Sequence, residues 1–299
     1  MHAIWLTVAN SVARLSTANP GYAAAAFLLY VVSLVIAGAR WRGFLRALGG
    51  EVSVMRATLA TMGGIAAGNL TPSPGGEACR IGLVRLGGRA TWREATIAAV
   101  WDRLSELPPI LVLAAMSLVA VRHLALAGRT SAVVAGISLA LVIVGLALWR
   151  LVPKAKSRGR RGWRRSGFAL AGWRERLAVD RVRPSLFAAG VGYSSLLWLQ
   201  DVLRLGCATL AFGVVLSPTK IATLSILAML GGIVPAIAGL GPVEGGLLAG
   251  LMAFGVDLPT AAAVTALERA ISYGFSTSAG AMVIALMGGR SVWSAVRER

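Results

Sequence analysis

The chain has 299 residues, of which 57% are hydrophobic and 14% are charged, and its mean hydropathy is +0.73. Several apolar runs approach or exceed the roughly 20 residues that a helix needs to cross a bilayer, so the sequence predicts an integral membrane protein. The net charge of +18 therefore reflects the lysines and arginines that collect on the cytoplasmic side of a membrane, and no nucleic-acid partner is expected. Two cysteines beside apolar segments and two distant histidines predict neither a disulfide framework nor a metal site, and no cofactor is expected.

The first clear spanning helix is predicted over residues 21–39, after an apolar stretch at 3–16 that fits an amphipathic helix at the membrane interface. This spanning helix ends at Arg40-Trp41-Arg42. Cations beside an aromatic ring are typical of a cytoplasmic anchor at the membrane surface, and we interpret this triplet as such an anchor.

The next apolar run, 52–70, ends in Thr71-Pro72-Ser73-Pro74-Gly75-Gly76-Glu77. Prolines remove backbone donors and glycines permit turns that other residues resist, so the helix is predicted to break near Pro72. If 52–70 crosses the membrane fully, the basic loop at 150–183 lies outside. If 52–88 instead dips in and returns, that loop and the arginines at 80, 85, 89 and 93 lie inside. Because Lys/Arg bias in short loops sets orientation, the re-entrant topology is favoured.

The rest of the chain is predicted to cross the membrane several more times. Residues 91–121 form one long predicted helix, kinked by Pro108-Pro109, and residues 131–149 return to the cytoplasm. The basic 150–183 loop is expected to be attracted to anionic lipid headgroups. Further spans are predicted at 185–214 and 258–287, on either side of a second broken segment at 221–256, and the C-terminus is expected to be cytoplasmic.

The two broken segments resemble each other. A Gly-Gly-Ile triplet precedes each break and a glutamate follows it. An acid–Arg doublet comes next, with its arginine 25 or 26 residues after the glutamate. The glutamates Glu77 and Glu244 lie 167 residues apart, and the doublets Asp102-Arg103 and Glu268-Arg269 lie 166 apart. Paired broken segments in corresponding halves are typical of transporters that are built from repeats.

We therefore predict an all-α polytopic membrane protein with two inverted repeats, each of which carries a Pro/Gly-broken re-entrant helical hairpin. Residues 1–299 form a single membrane domain. Repeat 1 covers about 21–121, a linking helix and basic cytoplasmic loop cover 122–184, and repeat 2 covers about 185–289.

Charged side chains at membrane depth cost about 2.5–3.5 kcal/mol each on insertion scales, so they face a partner or a hydrated cavity. Buried ion pairs that lock helices together and a shared polar cavity lined by the hairpin tips are both open interpretations. Amides exposed after Pro/Gly turns can hold a phosphate, whereas small residues also permit close helix packing. We assign packing to Gly63-Gly64 and Gly231-Gly232, and a backbone-lined site to the glycines nearer each break. The candidate substrate-binding residues are Gly75, Gly76, Glu77, Arg80, Asp102, Arg103, Asp201, Arg204, Gly239, Gly241, Glu244, Glu268 and Arg269.

The ordered motifs resemble the lysylphosphatidylglycerol synthase transmembrane-region family, which includes the flippase domain of the bacterial multiple peptide resistance factor and small stand-alone flippase-like proteins. The resemblance covers residues 21–290 and rests on Thr71 through Arg80, Trp101-Asp102-Arg103, Pro235 through Glu244, and Glu268-Arg269. It implies a lipid-translocating fold with two re-entrant segments, and it places Glu77, Arg80, Asp102, Glu244 and Arg269 on the motif positions. The sequence differs from the family pattern in its short N-terminal part. It also carries no aminoacyl-transferase domain, so lysyl transfer is not expected.

The expected function is that of a lipid flippase-like transporter in a bacterial inner membrane, which moves a phosphate-bearing headgroup, anionic or zwitterionic, through a central polar cavity. Its expected partners are membrane lipids. The absence of a Walker-type loop indicates that any driving force comes from a gradient, a partner or the lipid imbalance itself. A small-solute secondary transporter is the alternative, and a lipid-modifying enzyme with Glu77 or Glu244 as general base is ranked below both.

Overall fold

The computed structural model describes residues 14–71, 75–86, 90–123, 182–233 and 241–297. The regular elements in these ranges are helices, which confirms the predicted all-α class for this part of the chain. They are α1 (Pro20–Ala47), α2 (Val54–Leu70), α3 (Gly75–Arg85), α4 (Trp92–His123), α5 (Pro184–Leu210), α6 (Pro218–Ile233), α7 (Pro242–Ala253), α8 (Leu258–Arg269) and α9 (Ser276–Arg297), with a π-helical segment at Ala270–Phe275 between α8 and α9.

Three described helical stretches are long and apolar enough to cross a membrane: Pro20–Ala47, Pro184–Leu210 and Leu258–Gly288. They correspond to the predicted spans at 21–39, 185–214 and 258–287. Large apolar side chains such as Leu28, Leu199 and Met282 are exposed on them, as expected for surfaces that face lipid. The chain is a multi-pass membrane protein.

Side-chain caps fix where several helices begin. Asn19, Ser53 and Asp257 each accept a hydrogen bond from a backbone N–H in the first turn of α1, α2 and α8. Such bonds satisfy donors that have no partner within the helix. The hydrogen bonds from Thr260 also lower the pKa of Asp257, because they favour the ionised carboxylate.

The two halves of the described chain have the same order of elements and pack against each other. A long helix (α1 or α5) precedes a short one (α2 or α6), the break, a second short helix (α3 or α7) and a further long run. Helix α1 packs against α5. Helix α2 packs against α3 and α9, and α6 packs against α7 and α4. The second helix of each half therefore contacts the last helix of the other half.

Glycines let these helices approach closely. A Cβ on Gly64 would lie 2.7 Å from Cβ of Arg80 on α3, and a Cβ on Gly231 would lie 2.7 Å from the backbone N of Val243 on α7. The predicted packing role is confirmed for these two glycines. It is wrong for Gly232, since a Cβ there would have nothing within 4 Å.

Substitution of Gly280 by alanine is expected to destabilise the protein by about 1–3 kcal/mol, the usual cost of overpacking. A Cβ at Gly280 on α9 would lie 2.6 Å from Cβ of Ala66 on α2 and would also strike the Met62 carbonyl. Thermal unfolding in detergent measures the effect. Gly192→Ala on α5 is the matched control, because it meets open space and should raise stability by about 0.5–1 kcal/mol.

Several predicted features lie outside the described residues. They are the apolar stretch 3–16 up to residue 13, the predicted helix at 131–149, the basic loop 150–183 up to residue 181, and the candidate site residue Gly239. The predicted long helix at 91–121 is confirmed as the continuous helix α4, which contains both Pro108 and Pro109.

Candidate functional site

The first ion-pair cluster consists of Arg40, Glu77, Arg80, Asp102, Arg103 and Glu106. At its centre Asp102 is fully buried and accepts hydrogen bonds from Nε of Arg40 at 2.7 Å and from Nη1 of Arg80 at 2.9 Å. The other nitrogens of Arg40 donate to Glu106 at 2.5 Å and to Oγ of Ser194 on α5 at 2.8 Å. Arg40 is thereby held by α4 and α5 at once.

The outer part of this cluster is partly exposed. Arg103, whose side chain is 57% exposed, donates from Nε to Glu77 at 3.0 Å and from Nη1 to Glu106 at 3.1 Å. The bond from Arg103 to Glu77 joins the N-terminal turn of α3 to α4. Three arginines and three carboxylates make the first cluster neutral when all six groups are ionised.

The second ion-pair cluster consists of Asp201, Arg204, Glu244, Glu268 and Arg269. Arg204 on α5 donates to Glu268 on α8 at 2.6 Å and to Asp201 at 2.5 Å. Arg269 donates from Nε to Oε1 of Glu244 at 2.8 Å, which joins α8 to the N-terminal turn of α7. With two arginines and three carboxylates, the second cluster carries a net charge of −1 when all are ionised.

The two clusters repeat the same pairings. Arg40 contacts Asp102 from the first helix of one half, as Arg204 contacts Glu268 in the other. The bond from Nε of Arg103 to Oε1 of Glu77 recurs between Arg269 and Glu244. Successive helix residues point about 100° apart, so the acid and the arginine of each doublet contact different partners.

The structure places Arg40 and Trp41 in the protein interior and not at the membrane surface, where the sequence predicted them. Arg40 is 4% exposed and Trp41 is fully buried, with the guanidinium of Arg80 lying 3.9 Å from its ring centroid. The prediction of a surface anchor is wrong for both residues, because this face of α1 packs into the helix bundle. A signal for Arg40 did exist, since Arg204 follows it by 164 residues, close to the repeat offset.

A cavity of about 330 Å³ lies between the two clusters. Its polar lining comes from five helices, and its apolar lining includes Leu197, Trp198 and Met229. The polar residues are Arg40, Glu106, Asp201, Arg204, Ser225 and Glu268.

Of the candidate site residues, the cavity brings together Asp201, Arg204 and Glu268. The other candidates that the structure describes lie in the two clusters or next to the breaks. Arg40, Glu106, Ser194 and Ser225 were absent from the candidate list. The two serines carry no distinguishing sequence signal, since isolated serines are common on membrane helices.

Two of the described glycines next to the breaks, Gly75 and Gly76, lie against other residues of the chain. A Cβ on Gly76 would lie 2.7 Å from the Gly64 carbonyl oxygen, so Gly76 lies at the contact of α3 with α2. A Cβ on Gly75 would strike Oγ1 of Thr71. Gly241 has a φ of +92° at the N-cap of α7, and its N–H donates to Oε2 of Glu244 at 2.7 Å. The backbone-lined site predicted at these glycines stays a prediction.

Chemically, the cavity offers two guanidinium groups, three carboxylates and a hydroxyl within an apolar wall. Guanidinium groups bind carboxylates and phosphates through paired N–H donors, so an anionic group could replace a carboxylate at either arginine. Within the described ranges no group of three or more His, Cys, Asp or Glu side chains is placed to hold a metal ion.

Comparison with known proteins shows that the chain is similar to membrane proteins. Residues 2–280 match the family described as "Lysylphosphatidylglycerol synthase TM region". A UPF0104 membrane protein of Methanothermobacter thermautotrophicus is 27% identical, over 92% of this chain and 88% of its own length. A UPF0104 membrane protein of Pyrococcus horikoshii is 24% identical, over 94% and 91% respectively.

Proposed function

The chain belongs to the lysylphosphatidylglycerol synthase transmembrane-region family, and on this premise we propose that it moves a phosphate-bearing lipid headgroup, anionic or zwitterionic, between the leaflets of a membrane. We propose a transporter and not an enzyme. The observation that carries the proposal is the polar cavity between the two ion-pair clusters, inside a bundle whose outer surface is apolar. Ionisable groups inside a membrane usually mark the path of a substrate or an ion.

The recognition step rests on Arg40 and Arg204, the two arginines that line the cavity. A phosphate can accept two parallel hydrogen bonds from one guanidinium, and the desolvated wall strengthens each bond. The apolar lining, including Leu197 and Trp198, suits the part of the lipid next to the headgroup.

The helices next to the breaks support a re-entrant arrangement. Helices α2 and α3 have 17 and 11 residues, and α6 and α7 have 16 and 12, all below the roughly 20 needed to cross a bilayer. Non-helical backbone at membrane depth is tolerated where protein or a hydrated cavity satisfies it. The glutamate that follows each break, Glu77 or Glu244, belongs to an ion-pair cluster. We therefore propose two inverted repeats, each with one re-entrant hairpin.

Transport would then proceed by alternating access. The bonds from Arg103 to Glu77 and from Arg269 to Glu244 each hold a short helix against a long helical stretch, α4 or Leu258–Gly288, so we propose that they act as the two gates. A substrate phosphate opens a gate when it competes with the glutamate for the arginine. Each gate precedes a local irregularity, Pro108-Pro109 in α4 or the π-helical segment Ala270–Phe275, and such irregularities are common at bends and hinges.

We also propose that the protein lies in a bacterial inner membrane with its C-terminus in the cytoplasm. The distribution of lysine and arginine supports this orientation. The basic segment 150–183 would then lie against anionic headgroups of the cytoplasmic leaflet.

The experiment is lipid transfer by the purified protein in proteoliposomes that contain fluorescent phosphatidylglycerol, with a membrane-impermeant quencher reporting the leaflet. The wild-type protein should transfer lipid faster than protein-free vesicles, with no change in lipid composition. A protein that transfers no lipid but supports solute-gated ion flux would instead be a small-solute transporter. Altered lipid products would indicate an enzyme.

Filling the cavity should block this transfer. Leu197→Trp replaces an aliphatic side chain of the cavity wall with a larger aromatic one. It is expected to lower the transfer rate by about tenfold or more, equivalent to about 1.4 kcal/mol on the activation free energy of transfer. Leu199→Trp is the matched control, because Leu199 lies two residues away on α5 and is 54% exposed. Equal rates for the two variants would remove the cavity from the proposed path.

A further inference from the structure

The cavity wall has more carboxylates than arginines. Arg40 and Arg204 face Glu106, Asp201 and Glu268, which gives a net charge of −1 when all five groups are ionised. The excess negative charge comes from the second cluster, where the single guanidinium of Arg204 forms ion pairs with both Asp201 and Glu268. In the first cluster, by contrast, each carboxylate is matched by an arginine.

The unmatched group can be located. Glu268 is 5% exposed, and its Oε1 accepts from Arg204, whereas its Oε2 has no hydrogen-bond partner among the described residues. Ser225 is 2% exposed, and its Oγ is likewise without a partner in that part of the chain. Both residues line the cavity. A buried carboxylate oxygen that is left without a donor is costly, so the described residues leave this corner of the cavity short of a hydrogen-bond donor or a positive charge.

We propose that Glu268 binds a proton when the cavity binds the phosphate headgroup, so that proton and lipid move together. This inference rests on the proposed transport function and deepens it by naming the coupling ion and its site. Hard divalent cations take six or more oxygen ligands, whereas a proton needs one oxygen, and Oε2 of Glu268 supplies it.

The surroundings of Glu268 give the coupling its direction. Arg204 and Asp201 face it from α5, Arg40 and Tyr30 from α1, and Glu106 from α4. Arg269, its neighbour on α8, is paired with Glu244 of α7. A phosphate that enters the cavity meets an excess of negative charge and two arginines that already form ion pairs with carboxylates. A proton on Glu268 removes that excess and weakens the hold of Glu268 on Arg204, which then donates to the phosphate.

The first test measures proton uptake without transport. Dioctanoyl phosphatidylglycerol is added to the purified full-length protein in lightly buffered detergent that contains a pH indicator. The wild-type protein should take up about one proton per bound lipid, because one site titrates. Glu268→Gln keeps a carbonyl oxygen for Arg204 but is permanently neutral, so it should bind the lipid without proton uptake. Glu51→Gln, at an exposed glutamate outside the cavity, should behave like the wild type.

The second test measures transfer of fluorescent phosphatidylglycerol in proteoliposomes at stepped pH. The wild-type rate should rise on acidification, by at most about tenfold per pH unit for a single site, and a trapped pH dye should report accompanying proton movement. Glu268→Gln should lose this dependence.

The outcomes separate the two proposals. If the wild-type protein transfers no lipid, the proposed function fails. If it transfers lipid at a rate independent of pH and without proton movement, the function stands and the proton site is overturned. Unchanged proton uptake in Glu268→Gln overturns the site as well. The proton site is also overturned if transfer requires an amine-bearing lipid and moves no proton. In that case the ammonium group of the lipid would be the cation at Glu268.

Discussion

Replacing Arg103 or Arg269 with alanine is expected to abolish lipid transfer while the protein still accumulates in the membrane. Each arginine joins a long helical stretch, α4 or Leu258–Gly288, to the first turn of the short helix that follows a break, α3 or α7. In the alanine variants no guanidinium is present for which the phosphate and Glu77 or Glu244 can compete. The proposed gate then no longer responds to substrate.

Folding should tolerate the change at Arg103, which is more than half exposed, because exposed ion pairs contribute about 0.2–1 kcal/mol to stability. Arg269 is 17% exposed, so its loss should cost more stability, and the folded fraction of that variant is measured alongside its transfer rate. The measurement is transfer of fluorescent phosphatidylglycerol in proteoliposomes, normalised to the amount of reconstituted protein. Arg46→Ala, at an exposed arginine near the end of α1, is the control and should transfer lipid normally.

Lysine variants refine the gate test. Arg103→Lys keeps the positive charge but loses the planar fork of donors, so its transfer rate should lie between those of wild type and Arg103→Ala. Normal transfer in both Arg103→Ala and Arg269→Ala would remove these pairs from the mechanism. The cavity proposal would then depend on Arg40 and Arg204 alone.

Asp102→Ala is expected to have the largest effect on stability, about 3–5 kcal/mol, and so to prevent much of the protein from folding. Asp102 is fully buried and accepts hydrogen bonds from both Arg40 and Arg80, which are 4% exposed. Its removal leaves two buried cations short of a partner. Unfolding in detergent and the folded fraction in membrane extracts measure the loss.

A second replacement tests the cause. Removing one partner of a buried ion pair strands the other charge, whereas replacing both by apolar groups is often tolerated. Asp102→Leu combined with Arg40→Met should therefore be more stable than Asp102→Leu alone. Glu51→Ala, at an exposed carboxylate outside the clusters, should cost less than about 1 kcal/mol as a surface change. An Asp102→Ala variant as stable as the wild type would show that the first cluster does not hold α1, α3 and α4 together.

Much of the fold followed from local properties of the sequence. Hydropathy located the spans at 21–39, 185–214 and 258–287 because a membrane helix must be apolar along its whole length. The prolines and glycines near Pro72 and Pro242 located the ends of short helices because these residues limit the backbone at the position where they occur. The π-helical segment at Ala270–Phe275 was not predicted, since no residue type in it specifies that turn.

The site was predicted in part for the same reason. Charges in apolar segments are conspicuous, so Asp201, Arg204 and Glu268 could be selected from the sequence, and the structure brings them to one cavity. Their pairing could not be selected, because it depends on which faces of distant helices meet. Only the packing of α1 against α5 and α4 turned Arg40 from an expected surface anchor into a buried partner of Asp102. Composition and order along the chain thus determined the membrane class, the breaks and the charged positions, while the tertiary structure decided which charges contact each other and where the cavity lies.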